Sequence, residues 1–151
     1  MSETVQLCVL EVGAETYVID LKRVDEILPA QVPTPVPKAP LFLEGVVKLR
    51  GEIVPVVDVR KRLGVAPKVT GTADRRLKRR ERLVVCRLGR RRVGFLVDAV
   101  TRVVRVDRAE LKPAPLTASP GRVPHVLGVC GDPGHLKLML DLLSLVEESG
   151  P

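Results

Sequence analysis

Apolar positions along the chain fall in short runs rather than in helical stripes. Val5 to Val12 alternates loosely and is rich in apolar residues, which predicts a buried strand. Gly13-Ala14-Glu15 reads as a turn and Thr16 to Ile19 as the return strand. Leu21 to Leu28 admits two readings. Either Asp20 starts one helical turn that brings Val24, Ile27 and Leu28 inward, or the stretch is a third strand; Pro29 ends it in both cases. Prolines 29, 33, 35, 37 and 40 then predict an extended surface connector without interior ladder bonds. A Pro-rich ligand for an SH3-type domain is the alternative.

Gly45 to Gly64, GVVKLRGEIVPVVDVRKRLG, organises the rest. Val46 and Val47 lead to Arg50-Gly51, and a second apolar run follows from Ile53 to Val57. Gly51 takes positive φ without steric cost, so two strands joined tightly at Arg50-Gly51 are expected. Asp58 stands where a side chain can accept the free N–H groups of a first helical turn, and Gly64 where a left-handed residue closes the last. The unit is a hairpin plus a short helix, Val59 to Leu63. Pro55 cannot donate to a ladder, which predicts an edge strand or a bulge there.

Ala66 to Arg82 is poor in apolar residues and rich in charge, as expected of a basic mobile loop (66–82). Leu83 to Leu88 and Val93 to Val97 form a strand pair about Gly89-Arg90-Arg91, and Asp98 to Val106 follows. Asp107 to Arg122 reads as a second irregular connector. Val126 to Val129 and Lys137 to Leu140 are strands, and Asp141 caps a helix over Leu142 to Glu148. The second half repeats the first: a shift of 76 lays Leu7–Leu28 on Leu83–Val104, and a shift of 83 lays Gly45 on Gly128 and Asp58 on Asp141. Two units, roughly 5–64 and 83–148, are too few for a solenoid. The economical architecture is a mostly β domain of two small barrels, about five strands per copy, sharing apolar surface because each copy alone is marginal.

Length and composition narrow this further. The 151 residues suit one domain of two subdomains, and 45% apolar with 28% charged residues predicts a folded chain. With no Trp and only Tyr17, Phe42 and Phe95 as aromatics, the core is aliphatic. No apolar run approaches the ~20 residues of a membrane span, and the N-terminus lacks the features of a secretion signal. Cys8, Cys86 and Cys130, odd in number and set in apolar runs, read as buried thiols of a reducing compartment, so a cytoplasmic protein is expected. The net charge of +7 is local: residues 75–92 hold ten Lys or Arg and one acid, Glu81. A nucleic-acid surface is one reading of that segment; without interleaved aromatics, a solvated basic loop that steers an acidic partner is the other.

Little points to catalysis. His125 and His135 sit in no metal or triad spacing, the cysteines form no CxxC, and GVCGDPG lacks the Lys-Ser/Thr of a phosphate loop. Asp58 and Asp141 hold equivalent places at helix starts, where capping explains them. No catalytic residue, metal or cofactor is expected.

The central stretch resembles the signature of the chemotaxis coupling protein family CheW, roughly G-V-x-N-L-R-G-x-I-x-P-V-x-D-L-R. Gly45, Val46, Leu49, Arg50, Gly51, Ile53, Pro55, Val56, Asp58 and Arg60 match, and Lys48 replaces the usual Asn. YVIDLKRVDEIL, RRVGFLVDAVTRVVRV, LKPAP and GVCGDPGHLKLMLDLLSLV extend the likeness over nearly the whole chain. The resemblance implies two SH3-like five-stranded β-barrels on a common core. It also implies a non-enzymatic adaptor that couples the cytoplasmic tips of chemoreceptors to a chemotaxis-type histidine kinase through the kinase's own CheW-like domain, recruited to receptor arrays. Carried over by position, Val24, Glu26, Ile27, Gly45 and Arg50 face the receptor, and Lys112 with Leu116 faces the kinase. Val24 and Ile27 are candidate floor residues of a groove for an amphipathic helix. Each has a plainer reading too: Val24 as core, Arg50 as a turn arginine paired with Glu52 or Asp58. Leu116-Thr117 stands where the family often has a bulky aromatic. Together with Lys48 and the Arg-rich segment, this marks a divergent member, suited to an alternative pathway.

Overall fold

The computed structural model describes residues 3–65, 79–113, 125–131, 134 and 136–147. Strands β1 (Thr4–Val12), β2 (Glu15–Asp20) and β3 (Val24–Pro29) open the chain. The central unit is β4 (Leu43–Leu49), β5 (Glu52–Asp58) and helix α1 (Val59–Leu63). The second half runs β6 (Arg82–Leu88), β7 (Arg91–Val97), β8 (Ala99–Asp107), the two-residue β9 (Lys112–Pro113), β10 (Val126–Cys130), β11 (Lys137–Leu140) and α2 (Leu142–Leu145). The Arg50-Gly51 turn has positive φ at both residues, 51° and 83°, the geometry that matches strand twist in a two-residue hairpin. Asp58 accepts from Arg60 N at 3.0 Å and Lys61 N at 3.4 Å, and Gly64 closes α1 in the left-handed conformation.

Two curled sheets carry the fold. One orders its strands β8-β1-β2-β11-β10-β9 and the other β3-β6-β7-β5-β4. The expectation of one barrel per sequence repeat is therefore corrected, because each barrel draws on both halves. β1 pairs antiparallel with β8 and β6 with β3, while β2 runs parallel to β11 and β7 to β5. Each half has given its opening hairpin to the other. Repetition in sequence marks equivalent residues, not the edges they meet; a hairpin has two free edges, and here both are satisfied across the repeat.

The exchange lets each opening hairpin bury both faces. Leu7 and Val9 of β1 point into the second barrel with Val5, Val18 and Cys130. Cys8 and Leu10, alternating with them, join Val57, Val84, Phe95 and Leu145 in a core shared by the two sheets. The first barrel is filled by Val47, Leu49, Val54, Val56, Leu83 and Val85. All three cysteines are free and buried, and burial pushes the Cys86 thiol up to about 12.

Other expectations need amendment. Both readings of 21–28 hold in sequence: Asp20 caps a 3-10 turn over Leu21–Arg23, and β3 follows. Being a strand, it alternates, so Ile27 points outward at 39% exposure rather than inward. β5 is an interior strand despite Pro55. Val46, opposite Pro55, gives its N–H and C=O to Thr34, so this is a non-hydrogen-bonded pair. The proline nitrogen thus faces the β7 side, where pairing starts only at Val56. The bulge lies on β4, between Leu43 and Gly45. The proline connector does make ladder bonds at Thr34, whose N donates to Val46 O at 2.8 Å and whose O accepts from Val46 N at 2.9 Å. Lys112 takes the equivalent place opposite Val129, so the second connector begins with a 3-10 turn (Arg108–Glu110) and a short strand. Arg79 and Arg80 are helical and Arg82 already belongs to β6, while 66–78 and 114–124 lie outside the described residues. Helix α2 ends at Leu145 rather than Glu148.

Candidate functional site

Glu26 and Arg50, separate in sequence, meet at the end of the first barrel that carries the β4–β5 and β6–β7 turns. The bulge between Val24 and Glu26 rotates Glu26 to the inside of the barrel mouth, and the tight turn projects Arg50 across it. Arg50 Nη2 lies 3.1 Å from Glu26 Oε2, with the arginine side chain 77% exposed. Arg92, on the inner side of β7, fills the mouth beneath. Its guanidinium reaches Asp25 at 3.2 Å, Glu52 at 3.1 Å and Glu26 at 3.6 Å, and Arg87 adds a contact to Asp25 at 3.3 Å. Hydrogen bonding to Glu52 pushes Arg92 still higher in pKa. Three arginines thus alternate with three acids over the mouth. Because Arg92 already serves Glu26, the exposed Arg50 pair adds under ~1 kcal/mol to stability.

The other receptor-facing candidates spread around this mouth. Val24 packs half-buried against the shared core, and Ile27, which the bulge leaves on the same face of β3 opposite Val84, is the more exposed of the two. Gly45 lies where the connector crosses β4: an added Cβ would stand 2.2 Å from Thr34 O. Its place is therefore required by packing. Lys112 sits exposed on β9 of the other barrel, away from Glu26 and Arg50. Leu116 lies outside the described residues. Arg50 pairs with neither Glu52 nor Asp58, because Glu52 holds Arg92 and Asp58 caps α1.

At the junction of the halves, Arg60 Nε lies 3.2 Å from Asp98 Oδ1 and 3.9 Å from Asp58, with Nη2 3.7 Å from Glu81. Asp98 Oδ2 accepts from Gly13 N at 3.0 Å, while Oδ1 has the ion pair but no aligned hydrogen bond. Burial raises the Asp98 pKa against the pull of Arg60 and the Gly13 N–H. Arg62 joins α1 to α2, donating to the carbonyls of Leu145 (3.0 Å), Ser144 (3.3 Å) and Glu147 (2.6 Å) while lying 4.6 Å from the Phe42 ring centroid. His125 Nδ1 is 2.6 Å from Ser144 Oγ. Ser144 Oγ in turn donates to Asp141 O, so the ring donates to the serine rather than activating it. The Asp141 carboxylate caps Ser144 N instead of orienting the ring. This is a fold-holding cluster. Among the described residues, no group of three His, Cys, Asp or Glu is placed to hold a metal, and no helix is long and apolar enough to cross a membrane.

Sequence reading missed Arg87 and Arg92 as parts of the mouth, having treated 75–92 as one basic segment. Their strand register was the available signal: directly opposed on β6 and β7, they share the inner face with Leu83, Val85 and Leu96. Arg80 likewise pairs with Glu11 at 2.6 Å, and Arg82 donates to the Arg79 and Glu81 carbonyls. With these cations engaged internally, the nucleic-acid reading has no support.

The family model of the CheW-like domain matches residues 6–150. The chain is 31% identical over 140 residues to "Chemotaxis protein CheW" of Rhizobium meliloti (strain 1021), covering 93% of this chain and 86% of that one. It is 27% identical over 143 residues to the protein of the same name from Treponema pallidum (strain Nichols), covering 95% and 82%. The solved structure of the scaffolding protein TtCheW from Thermoanaerobacter tengcongensis superposes with a TM-score of 0.82 at 26% identity, covering 100% of this chain and 93% of that one.

Proposed function

The chain belongs to the CheW-like domain family, and from that premise we propose that it is a chemotaxis adaptor that joins chemoreceptor tips to a histidine kinase. Its work is binding, without a reaction of its own, and its place is the cytoplasm, at receptor arrays. The observation that carries the receptor side is the Glu26–Arg50 pair at the barrel mouth. An exposed arginine with little stabilising value, held in register by a glutamate, suits recognition of a polar stripe on a helical hairpin. Glu26, Arg50 and Ile27 form the receptor-facing set, with Val24 and Gly45 supporting it from within. Lys112, on the other barrel, suits a separate kinase contact, so that both partners can be held at once; Leu116 belongs to that contact by resemblance.

The test is a pull-down from a lysate of a chemotactic bacterium, with receptor and chemotaxis kinase identified in the eluate. Wild type should recover both, Arg50→Glu should lose the receptor, and Lys112→Glu should lose the kinase. Neutralising the basic residues of 75–82 should leave both. The double variant Glu26→Arg/Arg50→Glu restores the internal pair with reversed polarity. If it regains the receptor, the pair is structural only and this reading of the mouth fails. Nucleic acid recovered by wild type alone would overturn the adaptor itself.

A further inference from the structure

The pseudo-symmetry that relates the barrels also relates their mouths, and the two mouths differ. A shift of 76 lays Glu11 on Arg87, Thr16 on Arg92, Asp25 on Thr101 and Glu26 on Arg102. Strand register repeats this correspondence: Glu11 faces Thr16 as Arg87 faces Arg92. The irregularity that skips Asp25 recurs between Val100 and Arg102, where it skips Thr101. In the first barrel the Arg92 guanidinium occupies the mouth among acids. In the second, Thr16 stands in that place and its side chain is too short to fill it. A pocket of about 350 Å³ opens there, lined by Val9, Glu11, Thr16, Thr101, Arg102, Leu136 and Lys137. The Glu11 carboxylate is the one acid in this lining, and Arg80 neutralises it at 2.6 Å.

Charge is inverted as well. Where the first mouth offers Glu26 to an internal arginine, the second offers Arg102, and Lys137 lines the same pocket. Among the described residues neither cation takes part in an ion pair. We propose that the second mouth receives an acidic side chain, a glutamate or aspartate, from an exposed segment of a partner protein. The carboxylate would sit with Arg102 and Lys137 and the methylenes against Val9 and Leu136, supplying from outside what Arg92 supplies from within at the first mouth. An exposed arginine and a half-buried lysine beside the apolar Val9 and Leu136 favour an anion with a short aliphatic stem over a bare ion. This does not rest on the receptor reading of Glu26 and Arg50, which concerns the other barrel.

The experiment uses the full chain, isotope-labelled, titrated with acetyl-Gly-Ser-Glu-Leu-Glu-Ser-Gly-amide and followed by amide chemical shifts. Saturable shifts are expected at Thr16, Thr101, Arg102 and Leu136. Replacing both glutamates of the peptide by glutamine should abolish them, and Arg102→Glu should weaken binding by about tenfold or more. A second measurement needs no ligand. Thr16→Glu places an acid in the pocket from inside, so it should raise the urea midpoint relative to Thr16→Gln, and only while Arg102 is present. Thr16 and Arg102 are both exposed, so these variants are expected to fold. The proposal is overturned by shifts centred on Arg90 and Arg91, by shifts equal with the glutamine peptide, or by no difference between Thr16→Glu and Thr16→Gln. Identical shifts with inorganic phosphate would also overturn it, by making the pocket a general anion site.

Discussion

Gly45 holds φ at +148°, and its missing side chain is what allows the Thr34 carbonyl to reach Val46 N. Gly45→Ala must move the connector or strain β4, and about 2–4 kcal/mol of destabilisation is expected, read as a lower urea midpoint. Loss of receptor coupling in that variant would therefore report folding. Arg50→Glu should differ: stability within ~1 kcal/mol of wild type, with the receptor lost. His125 provides a pH signature. Burial, then the neighbouring Arg62, lowers its pKa in the folded state below the ordinary value of 6.5, so the unfolded chain binds the proton more readily. Stability should be full above about pH 6.5 and fall as pH drops through the folded value. His125→Gln should flatten that slope in urea titrations at stepped pH; an unchanged slope would assign the loss to other groups. At this scale the sequence was partly legible. Asp58 as a cap and the buried cysteines follow from local rules. The partner of Arg50 does not, because which acid is free depends on Arg92 arriving from another hairpin.

Short elements here are held by caps rather than by length, since isolated helices of four or five residues do not persist in water. Helix α2 has its first turn held by Asp141 and its carbonyls taken up by Arg62 from α1. Arg62→Met keeps the contact area over Phe42 but removes the donors. It should cost about 1–3 kcal/mol and speed amide exchange at Leu145 and Val146 more than in β1. Uniform acceleration across the chain would mean that α2 unfolds only with the whole. The Arg50-Gly51 turn and α1 were readable to the residue because turn and cap signals lie within twenty consecutive positions, while the strands around that turn run further than the apolar runs, to Leu43 and Asp58. Pro55 misled because a proline's demand concerns one side of one residue, while edge and interior describe a whole strand. The alternation of β3 was hidden for a related reason: Asp20 does start a helical turn, but it lasts only to Arg23.

Across the molecule the repeat was legible and its assembly was not. Pattern finds equivalent strands; only the pairings β1–β8, β2–β11, β3–β6 and β5–β7 reveal that the hairpins have crossed. Three apolar clusters then depend on both halves, so the barrels should not unfold separately. A single transition is expected in urea by circular dichroism and by Tyr17 absorbance alike. Cutting the chain between residues 65 and 79 should yield two fragments that are each unstructured and that regain the spectrum of the intact chain on mixing. A fragment that folds alone would contradict the exchange.

The crossed hairpins also govern the order in which the chain can be made. β1 and β2 leave a ribosome well before their neighbours, for the outer edge of β1 pairs with β8 and that of β2 with β11. Until β8 has appeared both of these apolar edges wait without their neighbours, and the β2 edge waits on until β11, the condition under which nascent chains stick to one another. Chains released before β10 should therefore bind hydrophobic dyes and precipitate, while the complete chain folds slowly for its size because its pairings are distant. For such a protein the vulnerable moment is synthesis, and a holdase chaperone that covers the first hairpin should raise its yield more than any stabilising substitution in the core.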